Sequence, residues 1–193
     1  MIHTPLDPNE AVVLFADLQA GIIERAGTNA IPRLKRTVHA LAKLASLFSI
    51  PVVVTAAPVS DGAPLITPEI GAALGDLPVH IRATTDAFTH ASSREAIEKT
   101  GRRILLVTGV ATEIIVQHSA LSAAACGFSV QVVVDACGGL SERTEAAAFQ
   151  RLAQAGVIMT SVASIAGQLA GDFTQSRGAM ALGVLYEMAS SGP

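Results

Sequence analysis

The sequence predicts a Rossmann-like, doubly wound α/β fold, in which a mostly parallel six-stranded sheet carries helices on both faces. Apolar runs of strand length recur along the chain and are continuous rather than alternating, which is typical of parallel strands covered on both sides. Helical segments separate the runs, so the order is β-α-β-α-β-α-β-α-β-α-β with right-handed crossovers. The six runs are AVVLFA (11–16), PVVVTA (51–56), PVHI (78–81), RILLVT (103–108), SVQVVV (129–134) and VIMT (157–160).

Helix signals fill the intervals between these strands. After the first strand, apolar residues recur at steps of three and four from Ile31 to Phe48, which predicts a helix with one apolar stripe. Three more helices are predicted further along, each ending near a glycine, the residue that most readily takes the left-handed conformation after a helix. These helices span 92–99, 112–126 and 141–155, and their glycines are Gly101, Gly127 and Gly156.

One domain is expected to account for the whole chain, residues 1–193. Its length is enough for a single α/β domain with a full core, and no Pro/Gly/Ser-rich linker interrupts it. The last segment, GAMALGVLYEMAS (178–190), is apolar and follows a polar stretch. Residues 172–193 are therefore expected either to dock on a neighbouring subunit, as an oligomerisation tail, or to pack on their own domain.

The composition favours a cytoplasmic homo-oligomer that binds a small molecule. Half of the residues are hydrophobic and only 15% are charged, so a subunit has little polar surface. No apolar run approaches the length of a membrane span and the N-terminus MIHTPLDPNE is too polar for a signal peptide, so no membrane partner is expected. The net charge of −3, one Tyr and no Trp argue against a nucleic-acid partner.

The two cysteines, Cys126 and Cys137, are not expected to form a disulfide in a chain without a secretory signal. Cys126 precedes a glycine at a predicted helix end and is expected to pack as a small hydrophobe. Cys137 follows a strand, so it is expected either to pack in the core or to line a pocket.

Candidate functional residues come just after the strands, because ligands of open α/β sheets bind beyond the carboxyl ends of the strands. Asp17 follows the first strand, where burial would raise its pKa and suit it to proton transfer; the alternative is that it caps a short helix beginning at Leu18. Arg82 suits an anionic substrate group, a role in keeping Asp17 ionised, or a surface or interface salt bridge. Asp135 is expected to fix a strand end or loop.

Residues 104–118, ILLVTGVATEIIVQH, predict a buried strand, a glycine turn and the start of a helix. The unpaired N–H groups of a helix N-terminus suit carboxylates and developing oxyanions. The first side chains of this helix, Thr112, Glu113, Ile114 and Ile115, nevertheless offer no nucleophile. The segment predicts an anion-binding turn that lacks an attacking group.

No metal or nucleotide cofactor is expected. The five histidines show no metal-ligand spacing. The turn TGVATE has one glycine and no Lys-Ser/Thr pair, and no G-x-G-x-x-G follows the first strand, so phosphate-binding fingerprints are missing.

Taken together, these residues resemble the isochorismatase-like (cysteine) hydrolase family, and within it the YcaC-like subgroup. Its members carry an acidic residue in a φ-x-D-x-Q motif, a Lys or Arg, and a Cys in a G-V-x-T-[DE]-φ-C-V motif. This chain has FADLQ at 15–19 and GVATEIIV at 109–116. The resemblance runs from about residue 11 to residue 172 and implies the Rossmann-like fold predicted above.

The resemblance implies that Asp17 is the general acid or base, that Arg82 is its cationic partner, and that N–H groups around Ile114 and Ile115 form an oxyanion hole. It also implies a non-proline cis peptide between residues 110 and 111. Ile115 stands where the family has its Cys, so the chain departs from the family at the nucleophile. The substrate-binding residues that it implies are Gln19, Phe88, Val110, Ala111, Thr112 and Ile114.

Two functions are compatible with these residues. The first is a hydrolase without covalent catalysis, in which Asp17 activates water or protonates a leaving group. The second is an inactive homologue that binds a ligand or serves as an oligomeric scaffold. Nicotinamidase-type hydrolysis is not expected, because the Cys is missing and AAPVSDG (56–62) contains no His for a metal. An open pocket beside Asp17 would favour the first function, and a pocket filled by Ile115 the second.

Overall fold

The computed structural model describes residues 6–190 and builds them around one parallel sheet. Its strands are β1 (Ala11–Ala16), β2 (Val52–Ala56), β3 (Val79–Ile81), β4 (Ile104–Gly109), β5 (Ser129–Val133) and β6 (Ile158–Thr160). The strand order is β3-β2-β1-β4-β5-β6, and each neighbouring pair is parallel. This order confirms the doubly wound α/β prediction. It reverses between β1 and β4, which is the position where such sheets bind their ligands.

Helices cover both faces of the sheet. The α-helices of the described residues are α1 (Ile31–Leu47), α2 (Pro68–Leu74), α3 (Ala91–Glu98), α4 (Gln117–Ala125), α5 (Glu142–Gln154), α6 (Val162–Ala170) and α7 (Ser176–Ser190). Short 3-10 turns lie at Ile23–Arg25 and Val134–Ala136, and a π-helical turn, Thr112–Val116, leads into α4.

The alternation of side chains along β1 divides the core into two layers. Val13 and Phe15 pack in the layer that contains α1, α6 and α7, whereas Val12 and Leu14 pack in the layer of α3, α4 and α5. All four side chains are fully buried. A strand that is buried on both faces has no polar side to reveal its period of two, which explains the continuous apolar runs.

The predicted elements differ from the observed ones in three places. The helix predicted over 112–126 divides into the π-helical turn and α4. No bounds were predicted for α2, which has only seven residues, and α6 gave no separate signal because its apolar sequence follows the apolar β6 run closely. The left-handed glycines expected after α3, α4 and α5 are present.

The C-terminal helix α7 packs on its own chain. Ala181 and Val184 belong to the buried core beside α1 and α6, while Met180 and Tyr186 are exposed. A role for residues 172–193 in oligomerisation stays a prediction. Residues 1–5 and 191–193, which the predictions of one domain (1–193) and of this tail include, lie outside the described residues. Within residues 6–190, no helix combines the length and the apolarity needed to cross a membrane.

Candidate functional site

A pocket of about 590 Å³ lies at the carboxyl ends of β1 and β4, where the strand order reverses. Its walls come from the segments that follow the first four strands and from one residue near the start of α5. Its volume is in the range typical of small-molecule sites. The lining residues are Asp17, Gly21, Ile22, Arg25, Ala57, Pro58, Arg82, Ala83, Thr84, Thr85, Val110, Ala111, Ile114, Ile115 and Leu140.

Asp17 and Arg82 form a buried ion pair in the wall of this pocket. Arg82 Nη2 donates to Asp17 Oδ2 at 2.6 Å, and the two residues are 3% and 7% exposed, respectively. The backbone holds both ends, since Asp17 N–H donates to Thr55 O at 3.0 Å and Arg82 N–H donates to Ala56 O at 3.0 Å. Arg82 Nη1 also donates to the Thr84 carbonyl. The pair therefore joins the end of β1 to the end of β3.

This geometry decides between the alternatives for both residues. A helix beginning at Leu18 does not form, because the backbone turns at Asp17 with a φ of 54° and the next helical turn begins at Ile23. The capping role for Asp17 is therefore wrong. The surface salt bridge considered for Arg82 is also wrong, since its guanidinium is buried against the Asp17 carboxylate.

The pair keeps unused hydrogen-bonding capacity. Asp17 Oδ1 and Arg82 Nε are buried and have no hydrogen-bond partner among the described residues, and the same is true of the neighbouring Thr55 Oγ1. Burial raises the pKa of Asp17 above its ordinary value, although the charge and hydrogen bond of Arg82 act in the opposite direction. The ion pair thus contains one acceptor atom and one donor atom whose hydrogen-bonding capacity the described residues do not use.

The turn after β4 approaches the end of β1 very closely. A Cβ on Gly109 would overlap the Ala16 carbonyl oxygen, so only glycine fits there. Val110 N–H donates to the same oxygen at 3.2 Å. The peptide between Val110 and Ala111 is cis, as the resemblance implied. Because of this close approach, the turn and Asp17 line the same pocket.

Several N–H groups of the π-helical turn donate hydrogen bonds to acceptors within the protein. Thr112 N–H donates to Gly138 O at 3.1 Å, and the N–H groups of Ile114 and Val116 donate to Ala111 O at 3.1 and 3.5 Å. The Ile114 N–H, which the resemblance assigned to an oxyanion hole, therefore has an acceptor within the protein. Ile115 is 1% exposed and Ile114 39%, and both side chains line the pocket. The turn presents aliphatic groups to a ligand.

Three of the predicted substrate-binding residues line the pocket, namely Val110, Ala111 and Ile114, and three do not. Gln19 pairs with the backbone of Ala57, donating from Nε2 at 3.0 Å and accepting at Oε1 at 2.8 Å. Thr112 Oγ1 donates to Glu145 at 2.6 Å, and Phe88 packs edge to face on Phe128. The contacts of these three side chains are made within the protein, so any contact of Gln19, Phe88 and Thr112 with substrate stays a prediction.

Sequence reasoning missed Arg25 and Leu140, which line the pocket from two separate loops. The loops are joined by hydrogen bonds from Gly27 N–H to Gly139 O and from Gly139 N–H to Thr28 Oγ1, both 2.8 Å long. Neither loop has a periodic pattern. The one signal was the glycine pair at 138–139, where a side chain would overlap neighbouring residues.

The remaining candidates lie outside the pocket lining. Asp135 accepts the Val162 N–H at the start of α6 at 2.9 Å, which confirms that it fixes local structure. Cys137 is buried, and burial raises the pKa of its thiol to about 12. Cys126 is exposed rather than packed, because it lies at the very end of α4. In the described part of the chain, no group of three His, Cys, Asp or Glu side chains is arranged to hold a metal ion.

The sheet order, the surrounding helices and the pocket define an α/β fold of the isochorismatase type. Residues 11–164 match the isochorismatase domain, and the chain belongs to the isochorismatase family. It is 35% identical over 173 residues to "Probable hydrolase YcaC" of Escherichia coli, a match that covers 89% of this chain and 83% of that protein. It is 27% identical over 165 residues to isochorismatase domain-containing protein 2A of Mus musculus, covering 86% and 77% of the two chains.

Solved structures agree with this membership. The YcaC gene product of Escherichia coli, an octameric hydrolase of unknown specificity, superposes with a TM-score of 0.89 at 31% identity, covering 97% of this chain and 92% of that one. YcaC from Pseudomonas aeruginosa, solved with hexane-2,5-diol and covalent acrylamide, gives a TM-score of 0.88 at 31% identity, with 98% and 96% covered.

Proposed function

We propose that this protein hydrolyses a small molecule without a covalent cysteine intermediate, using Asp17 as the acid/base group and Arg82 to orient it. One observation carries the proposal. The Asp17–Arg82 pair lies in the wall of an open pocket, and Asp17 Oδ1 is buried there without a hydrogen-bond partner among residues 6–190. An oxygen in this position is suited to exchanging a proton with a reacting group.

The two carboxylate oxygens of Asp17 have different roles in this proposal. Arg82 holds Oδ2 at 2.6 Å and fixes the plane of the carboxylate, which leaves Oδ1 for the proton. Because burial raises the pKa of Asp17, its carboxylate is a stronger base than one in water, and its protonated form persists to a higher pH. In one form of the reaction Asp17 activates a water molecule, and in the other it protonates a leaving group.

The absence of a thiol from the pocket lining supports the non-covalent route. Ile115, which we place at the position of the family's Cys, contributes an aliphatic wall. Cys137 is buried outside the lining, and Cys126 lies in a different surface hollow with Phe128. We therefore expect no acrylamide adduct in this pocket, in contrast to the covalent acrylamide of the Pseudomonas aeruginosa protein.

A second candidate function is a non-catalytic protein that binds a ligand or serves as an oligomeric scaffold. The aliphatic wall of Ile114 and Ile115 favours it, as does the engagement of the Ile114 N–H by Ala111 O. Under either function we propose a homo-oligomer, supported by the octameric YcaC neighbour and by the exposed Met180 and Tyr186 on α7.

A substrate screen with matched variants tests the proposal. Wild type, Asp17→Asn and Asp61→Asn are assayed on a panel of small amides, esters and vinyl ethers; Asp61 is an exposed aspartate after β2 and serves as the control. Wild type and Asp61→Asn are expected to turn over the same compound, and Asp17→Asn is expected to lose that activity. Equal turnover by Asp17→Asn would refute the mechanism. No turnover by wild type on any compound would favour the second function.

Restoring a thiol tests the assignment of Ile115. Ile115→Cys is expected to gain amide or ester hydrolysis that iodoacetamide abolishes, because the new thiol would line the same pocket as Asp17. Ile114→Cys is the matched control, since Ile114 lines the same pocket from the neighbouring position. Equal gains in both variants would contradict the special position of Ile115.

A further inference from the structure

Arg25 is an unpaired cation in the wall of the pocket. Among the lining residues the ionisable groups are Asp17, Arg25 and Arg82. Asp17 and Arg82 neutralise each other through their 2.6 Å contact, so one positive charge remains. No carboxylate of the described residues forms an ion pair with Arg25, and the adjacent Glu24 is occupied as the acceptor of the Gly21 N–H at 2.7 Å.

Arg25 is an exposed residue, and one hydrogen bond to the backbone orients its side chain. Its Nε donates to Gly21 O at 3.0 Å, which ties the guanidinium to its own loop and leaves the Nη groups as free donors. That loop is held in turn by the 2.8 Å hydrogen bond from Gly27 N–H to Gly139 O. A guanidinium that is oriented before binding loses less conformational freedom when it meets an anion, and its fork matches a carboxylate.

The rest of the wall is mostly apolar, with contributions from Ile22, Pro58, Val110, Ile115 and Leu140. An anionic group suits Arg25, and an uncharged, largely apolar body suits the rest of the lining. We propose that the substrate of this pocket is a small carboxylate with an apolar body, and that Arg25 is the residue that selects it. This inference rests on the function proposed above, because it names the substrate class of the same site.

The experiment compares benzoate with its neutral isostere benzamide by calorimetry, on wild type, Arg25→Gln, Arg25→Lys and Arg151→Gln. Arg151 is an exposed arginine of α5 outside the pocket lining and serves as the control. Wild type is expected to bind benzoate about three- to fivefold more tightly than benzamide, as for a partly exposed ion pair, and added salt should weaken benzoate alone. Arg25→Gln should lose this preference without weaker benzamide binding, Arg25→Lys should retain part of it, and Arg151→Gln all of it.

A wild type that binds neither probe at millimolar concentration, or that prefers benzamide, would overturn the inference. So would an Arg25→Gln variant that keeps the benzoate preference. If the oligomer mass of that variant also changed, Arg25 would be a subunit-interface residue. Because probe binding requires no turnover, the benzoate preference is independent of the Asp17→Asn assay, and failure of either proposal is recognised separately.

Discussion

Replacing Arg82 by Met should destabilise the folded protein strongly, because it leaves the Asp17 carboxylate buried without its cation. Both side chains are nearly inaccessible and their contact is 2.6 Å long, so the pair belongs to the buried class. Removing one partner of such a pair costs about 3–5 kcal/mol of unfolding free energy, whereas an exposed pair contributes about 1 kcal/mol or less. Met is chosen because it fills a similar volume without charge.

The loss should also depend on pH. Without Arg82 nothing offsets the effect of burial, so the pKa of Asp17 in the folded protein rises further above its ordinary value of 3.8. A folded state with the higher pKa binds more protons than the unfolded state between the two values, and its stability falls as the pH rises through that window. The Arg82→Met variant should therefore lose more stability at about pH 8 than at about pH 5.

Urea unfolding of wild type, Arg82→Met, Asp17→Asn and the double variant measures both effects. The double variant should recover at least about 1 kcal/mol relative to Arg82→Met, because it contains no unpaired buried charge. An Arg82→Met loss below about 1 kcal/mol, equal at both pH values, would refute the reasoning and would mean that the pair is effectively solvated.

Two further predictions concern the turn after β4 and the cysteines. Gly109→Ala should destabilise the protein by about 3 kcal/mol or more in thermal unfolding, since the new Cβ overlaps the Ala16 carbonyl. Gly167→Ala, on the exposed side of α6, is the control and should stabilise the protein by about 0.5–1 kcal/mol. Equal effects of the two substitutions would contradict the close approach of Gly109 to Ala16. Iodoacetamide should alkylate Cys126 and spare Cys137 in the folded protein, as peptide mass spectrometry would reveal, because one thiol is exposed and the other is buried with a pKa of about 12. Rapid loss of both thiols would show that the Cys137 region opens.

Most of the fold could be predicted because the four inner strands, β1, β2, β4 and β5, are largely buried on both faces. That burial gives an uninterrupted apolar run, as in AVVLFA, and every observed strand boundary lies within one residue of its run. Helix α6 was missed for the same reason, since its apolar sequence VASIAGQLA follows closely on an apolar strand. The π-helical turn was missed because its hydrogen bond to Ala111 O depends on how the turn packs, which no sequence period records.

The candidate site was predictable only where it follows strands. Asp17 and Arg82 stand directly after β1 and β3, so the topology of a parallel sheet brings them to one edge. Arg25 and Leu140 come from loops that are far apart in the chain and are joined by hydrogen bonds of Gly139 with Gly27 and Thr28. Their convergence is a property of tertiary packing, and the glycine pair at 138–139 is the one local trace of it.

The central claim is that Asp17 carries the chemistry of this pocket, and the kcat/KM of Asp17→Asn relative to wild type on one hydrolysed substrate tests it most directly. Acid/base catalysis by a positioned side chain contributes about 10²–10⁴-fold, so a loss of that size is expected. Because Asp17→Asn leaves Arg82 buried without its carboxylate, the variant is assayed at a temperature below its own unfolding transition. The wild-type pH profile should inflect at a pKa above 3.8, rising with pH if Asp17 is the base and falling if it is the acid. An Asp17→Asn variant with the activity of wild type would contradict the account.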